Sequence, residues 1–276
     1  MSEPFPPIDA RAARRRFERA SGRYAKASRL EQEVAGRMLE RLDYFKLAPR
    51  RILDAGSGPA REARALCARY AGAGIVAADF SLGMLQSRSR SWLRSNPSVA
   101  LCANIEQLPL SSASFDLVWS NMALHCLSDP LQALKEFHRV LKPQGLLLFS
   151  TLGPDSLKEL RDAAGPQRVH AFHDMHDVGD QLVASGFSAP VMDMELLTFT
   201  YADGAALLAD LRSSGQTSVR RDRPRGLAGR RFLKHLRESL PARATFEVVY
   251  GHAWKPAPRA EREETVKTIG IFKRIP

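Results

Sequence analysis

Cysteine is scarce: Cys67, Cys102 and Cys126 are the only three in 276 residues. Their odd number, wide spacing and lack of any CxxC pattern exclude a disulfide framework and a zinc ribbon and fit thiols kept reduced in a cytosol. Long apolar runs are missing too. Nothing approaches the roughly 18 to 20 residues of a membrane span, and the start lacks the apolar core of a secretory signal. The Arg-rich segment Arg11 to Arg19 has acids close by, Asp9 and Glu18, whereas transit peptides are poor in acids, so it reads as a helix that is retained. Acidic residues are the minority charge, 30 against 41 Lys and Arg for a formal +11. Such an excess favours encounters with acidic partners, and composition alone does not choose among nucleic acid, anionic lipid and acidic protein. The expectation is a cytoplasmic, monomeric protein that does not associate with membranes.

What is present is a globular composition, 44% hydrophobic and 26% charged, sufficient for one core with attached helices. After a Pro-rich start, Ala12 to Tyr24 and Leu30 to Leu47 read as helices, the second with Val34, Met38, Leu42 and Phe45 at helical spacing before Pro49. Short apolar runs then alternate with helical segments. RILDAG (51–56), GIVAAD (74–79), SVALCA (98–103), FDLVWS (115–120) and GLLLFST (145–151) read as strands; helices run to Tyr70, from Leu82 and from Pro130 to Leu141. That alternation predicts an α/β Rossmann-like fold with a mostly parallel sheet covered on both faces. Further helices are expected at Asp155 to Ala164, Met175 to Ser185, Ala205 to Leu211 and Gly229 to Leu240. Segments 191–201 and 244–254 alternate like strands and predict an antiparallel edge, giving seven strands in all. VKTIGIF (266–272) is a candidate short strand in a polar, basic tail.

The sharpest local signal is Leu53-Asp54-Ala55-Gly56-Ser57-Gly58-Pro59-Ala60, a strand entering a Gly-rich turn and a helix. Glycines let a backbone approach a ligand, and a helix N-terminus offers free N–H groups. A dinucleotide fingerprint would need glycine at position 61, which is Arg61. An acid ahead of the glycines suits S-adenosylmethionine (SAM) better, with Asp54 facing the amino group of the methionine moiety. Asp79, ending the second strand, is placed to accept both ribose hydroxyls, and Phe80 follows it. At the third strand end, Asn104 can read an adenine amino group through its carbonyl oxygen while Ile105 packs on the ring, although an asparagine there also serves as a turn residue. Asn121, after the fourth strand, completes the candidate cofactor set.

These pieces, with FDLVWSN (115–121) and RVLKPQGL (139–146), resemble the SAM-dependent methyltransferases over about residues 50–151. RRFERASGRY (15–24), LERLDYFKLAPRRILD (39–54), SNMALHCLSDPLQALKEFHRVL (120–141), STLGPDSLKELR (150–161), HDMHDVGDQLVASGF (173–187) and ATFEVVYGHAWKP (244–256) resemble, nearly end to end, the malonyl-acyl-carrier-protein O-methyltransferases of biotin synthesis. The resemblance implies methylation of the free carboxylate of a malonyl thioester on an acidic acyl carrier protein. It also implies a helical cap over residues 1–48, a methyltransferase domain over 49–255 with acceptor-binding helices in its second half, and a basic tail over 256–276. Two positions depart from the family: Ala60 stands where a third glycine is usual, and Asn104 replaces the usual aspartate. The extra methyl is expected to crowd the helix end against the ligand.

A carboxylate acceptor is already ionised at neutral pH, so the reaction calls for a lid and a cation rather than a general base. The lid candidate is the N-terminal helix with Phe17 and Tyr24; the cation candidate is Arg161, after the fifth strand. Each also has a structural reading, Tyr24 with Phe17 by burying its helix and Arg161 as a solvated side chain. His170, His173 and His176 with Asp174 and Asp177 lack a zinc signature and read better as a capped helix start, and His125 and Cys126 as walls. Arg220, Arg221, Arg223, Arg225, Arg230 and Arg231 form a basic stretch suited to docking an acidic carrier; no nucleic-acid recognition motif accompanies it. Two other readings stay open. One is a SAM-fold arginine hydroxylase of the respiratory-complex assembly type, the other a non-enzymatic basic adaptor whose SAM site has decayed.

Overall fold

The computed structural model describes residues 7–88, 98–226 and 228–258. The candidate strand at 266–272 and most of the basic tail lie outside them. Two helices, α1 (Ala10–Ala27) and α2 (Arg29–Arg41), precede β1 (Arg51–Ala55), α3 (Arg61–Arg69), β2 (Gly74–Asp79), α4 (Leu82–Gln86), β3 (Ser98–Cys102) and β4 (Phe115–Ser120). Then come α5 (Pro130–Val140), β5 (Leu141–Leu152), α6 (Lys158–Ala164), α7 (Met175–Ala184), β6 (Ser188–Thr200), α8 (Gly204–Ser213), α9 (Arg230–Ser239) and β7 (Arg243–Trp254). The sheet order is β3-β2-β1-β4-β5-β7-β6. β1 to β5 run parallel, and β7 inserts antiparallel between β5 and β6. The expected antiparallel pair is thus present, with the chain's last described strand inside the sheet and the earlier β6 at its edge. Among the described residues no helix is long and apolar enough to cross a membrane.

The near-continuous apolar strands serve both faces of the sheet. Ile52, Leu117, Leu146 and Leu148 point into one core with α2, α3, α8 and α9. Their neighbours Leu53, Val118, Leu147 and Phe149 point into the other, with α5 and α7, as the two-residue period of a strand requires. The described residues ahead of β1 divide in two. Val34, Met38 and Leu42 are fully buried in the first core, so α2 is part of the sheet's cover. Phe17 and Tyr24 of α1 lie over the strand ends.

Two family-like motifs turn out to be clamps at the opposite sheet edge. Asp116 accepts hydrogen bonds from the backbone N–H of Arg50 and Arg51, both at 2.9 Å, and pairs with Lys142 at 2.7 Å. β5 begins directly at the end of α5, four residues earlier than the apolar run indicated. Lys255 Nζ caps the carbonyls of His138 and Leu141, each at 2.8 Å, offsetting the open end of α5.

Candidate active site

A cleft opens at the carboxyl ends of β1 and β4, where the strand order reverses, the place a doubly wound sheet offers to ligands. β1 delivers Asp54 and then turns through Gly56 and Gly58, at φ +78° and +52°. A Cβ on Gly56 would stand 2.4 Å from Ala123 Cβ, so no side chain fits there; one on Gly58 would face the Tyr24 ring at 3.6 Å and narrow the cleft. Ala60 is the N-cap of α3 and is itself left-handed, φ 55°. Its methyl is 2% exposed and belongs to the apolar core, not to the cleft wall, so the expected crowding of a ligand is absent. What the alanine costs is backbone strain, roughly 1 kcal/mol.

The cleft has two continuous ends. One is lined by Phe17, Asp79, Phe80, Asn104 and Ile105; the other by Glu31, Asp54, Ser57, Arg61 and Glu62. Tyr24, Gly56, Gly58 and Asn121 line both. α1 roofs the groove and is fastened by Glu18, whose carboxylate accepts from Ser81 Oγ at 2.7 Å and Gly83 N–H at 2.8 Å. Phe17 meets Phe80 edge-on at 5.7 Å.

The groove is acidic and short of cations. Asp54 is buried, and its Oδ2, like Ser57 Oγ, has no hydrogen-bond partner among the described residues. Burial, reinforced by the charges of Glu62 and Asp79, pushes the Asp54 carboxyl well above the usual range. Asp79 accepts from Gly58 N–H at 2.9 Å and Ser81 N–H at 2.8 Å, yet burial still raises it to about 6. Glu31 is raised by burial to about 7 even though Gln216 Nε2 donates to it at 3.0 Å. These hydrogen bonds oppose the accumulation only in part, and the cation set against it among the described residues is Arg61, acting on Glu62. Carboxyls in such a state favour a bound cation, which stabilises their ionised form.

The remaining candidates fall into place unevenly. Asn104 Oδ1 accepts from Glu106 N–H at 3.0 Å and Nδ2 donates to Glu106 Oε2 at 2.9 Å, so the turn role anticipated for it is filled; the carbonyl keeps one lone pair at the cleft wall. Asn121 faces the groove as a strut, accepting from Ser150 Oγ at 2.8 Å and donating to the Glu31 carbonyl at 2.9 Å. Arg161 is not brought to the groove. α6 starts at Lys158 instead of Asp155, which leaves Arg161 in the last turn of a short helix, and the guanidinium donates back to the carbonyls of Ser156, at 2.8 Å, and Pro154. It holds a loop. Asp174 caps α7, accepting from His176 N–H at 2.8 Å. His125 and His170 are buried and lowered by that burial to about 4 and about 3, so both are neutral, and burial pushes the Cys126 thiol up.

Among the groove residues given no role by the sequence reading are Glu31 and Glu62, and Ser57 entered it only within the glycine turn. Glu31 had a signal, because it shares the buried helical stripe of Val34, Ala35 and Met38, where a charge is out of place.

A methyltransferase-domain family model matches residues 53–149. The malonyl-acyl-carrier-protein O-methyltransferase of Methylovorus sp. is 47% identical over 286 residues, covering 97% of this chain and 96% of the relative. That of Gallionella capsiferriformans is also 47% identical, covering 96% and 98%. Among solved structures, the YcgJ protein of Bacillus subtilis superposes with a TM-score of 0.62 at 17% identity, over 82% of this chain and 99% of that one. The last likeness bears on the fold alone.

Proposed function

The chain belongs to the malonyl-acyl-carrier-protein O-methyltransferase family, and from that premise we infer that it transfers the methyl group of SAM to the free carboxylate of a malonyl thioester on an acyl carrier protein, a reaction of early biotin synthesis. The observation that carries the reading is the acidic groove at the Gly56-Ser57-Gly58 turn, with the buried Asp54 Oδ2 and Ser57 Oγ lacking partners. These residues fit a ligand with a cationic amino-acid end. Asp54 is assigned to its ammonium group and Asp79 to the ribose hydroxyls. Phe80 and Ile105 are assigned to the faces of the adenine and Asn104 to its edge, with Gly56, Gly58 and Asn121 completing the wall.

SAM supplies, when bound, a methyl group made electrophilic by the sulfonium. The chain's own part is to orient and to dry the site. Tyr24, with Phe17, closes the roof of α1 over the groove and excludes water. Burial and the nearby Glu31, Glu62 and Asp79 hold the Tyr24 phenol well above its ordinary pKa, so it stays protonated and can donate a hydrogen bond. The malonyl carboxylate arrives ionised and needs no base. His125, neutral and bonded to Gln216 at 3.3 Å, and Cys126, a protonated thiol, accordingly act as walls. The hydroxylase and adaptor readings find no support in the names of the relatives. We assign residues 49–255 to the methyltransferase domain and, within 1–48, the lid role to α1 alone. We propose a cytoplasmic monomer that meets an acidic carrier through Arg221, Arg225, Arg230 and Arg231, all exposed.

The deciding experiment offers malonyl-acyl-carrier protein, malonyl-coenzyme A and free malonate as acceptors with methyl-labelled SAM. Label should appear as a base-labile ester, fastest on the carrier protein. Binding of SAM with transfer to none of the three would overturn the assignment.

A further inference from the structure

Another flank of α1 lines a second cleft, about 300 Å³, between α6, α8 and α9. Its floor is apolar, with leucines from all three helices and Phe232, while Arg16, Arg168, Arg212 and Arg223 stand in its walls. The Arg168 guanidinium lies over the Phe232 ring, 4.4 Å from its centroid. Of the four arginines only Arg223 has an acid within ion-pair range among the described residues, Asp9 at 3.7 Å. Arg16, half-buried, donates to the Thr217 hydroxyl, and burial together with Arg223 and Arg19 lowers its pKa. Ser218 Oγ and His170 Nδ1, also in the walls, are buried with no partner. Four guanidiniums sharing one acid over an apolar floor call for an anion attached to something greasy. A flat or extended phosphate track, as nucleic acid needs, is not what a recess offers.

The cleft adjoins the Asp54 end of the groove at Gln216. Gln216 lines it and donates to Glu31 at 3.0 Å, and Glu31 lines the Asp54 end of the groove. We propose that this cleft receives the phosphopantetheine arm of the acceptor, with the arginines gripping the arm's phosphate and the leucine floor taking its dimethyl and methylene groups. The proposal rests on the carrier-bound acceptor inferred above. A phosphodiester keeps its negative charge at any working pH, and guanidinium pairs with phosphate oxygens bidentately.

The test compares malonyl-4′-phosphopantetheine with malonyl-pantetheine, identical except for the phosphate. Calorimetry on the full chain loaded with S-adenosylhomocysteine measures binding, and initial rates with SAM measure KM. The phosphate should improve both about tenfold, the scale of one charge-assisted contact. Substituting Arg168→Gln and Arg212→Gln together should shrink that ratio to within about twofold while leaving affinity for malonyl-pantetheine, and SAM affinity as a fold control, unchanged; the Lys/Lys pair should restore part of it, since charge returns without the fork. Equal affinity of the wild type for both arms, or inorganic phosphate binding as tightly as the phosphorylated arm, would overturn the proposal. Discrimination in binding without any methyl transfer would leave the cleft standing and remove the methyltransferase reading; transfer without discrimination would do the reverse.

Discussion

α1 stands between two clefts of opposite character. On one flank, Phe17 and Tyr24 face a groove holding Glu31, Asp54, Glu62 and Asp79, with Arg61 the sole opposing cation among the described residues. On another, Arg16 joins Arg168, Arg212 and Arg223, with Asp9 the sole acid in range among the described residues. Each cleft is electrostatically unfinished by itself, and each would be completed by a ligand of opposite sign. One reaction that joins a cationic methyl donor to an anionic acceptor needs such a division, because mixing the two charge sets would let the protein pair with itself.

The strongest blow to the acidic side is Asp79→Ala, which should weaken SAM binding at least ~100-fold by removing two charge-assisted hydrogen bonds, while far-UV circular dichroism stays unchanged. Wild-type SAM affinity should likewise fall as pH drops through about 6, where Asp79 takes up a proton and can no longer accept both ribose hydroxyls. A flat calorimetric pH profile would remove Asp79 from that role.

Glu31→Gln probes the cost of the same acidity. The Glu31 carboxyl is raised from 4.5 to about 7 and is 5% exposed. A raised carboxyl contributes stability that is present below its unfolded pKa and lost as pH rises through the folded one. At pH 8 the wild type therefore carries a buried charge costing on the order of 2–3 kcal/mol. The amide should stabilise the protein by about that much at pH 8, and the gain should vanish near pH 4.5. Urea denaturation at the two pH values reads it directly; equal gains would point to packing instead of charge.

On the basic side, Arg221→Glu with Arg225→Glu should raise KM for malonyl-acyl-carrier protein roughly fivefold at low salt, with kcat nearly intact, because exposed charges steer encounter more than they hold the complex. Salt should erase the difference between variant and wild type, and malonyl-pantetheine should register neither change. The mildest expectation is Ala60→Gly. Relief of left-handed strain is offset by a lost buried methyl and a more flexible unfolded chain, so stability should move by less than about 1 kcal/mol. SAM affinity should hold, since the methyl points into the core; a large loss of affinity would contradict that orientation.

The positions of the candidate cofactor residues were legible for a physical reason. Asp54, Gly56, Gly58 and Asp79 lie at strand ends and in one turn, and a strand end has a fixed position at the sheet's edge wherever the helices go. Their placement follows from local sequence. Arg161 shows the opposite case: a shift of three residues in the start of α6 turned a candidate acceptor cation into a loop clamp. Asn104 lies between, with both of its anticipated uses compatible with one turn. Arg16 was one arginine among several on a basic helix, and nothing in the 3.6-residue period says which of them meets α8 and the 215–219 segment.

By itself the amino-acid sequence determined the alternation of strands and helices, the parallel sheet with its antiparallel edge, and the glycine turn with its acids, because hydrophobic period, turn chemistry and strand-end position are properties of short stretches of chain. Tertiary structure alone decided that α1 would roof the groove and α2 would join the core. It also decided that Glu31 would be buried beside Gln216 and that four distant arginines would share one recess. Those outcomes depend on which flank of each helix meets which neighbour, and that is settled only when all of the apolar faces are buried at once.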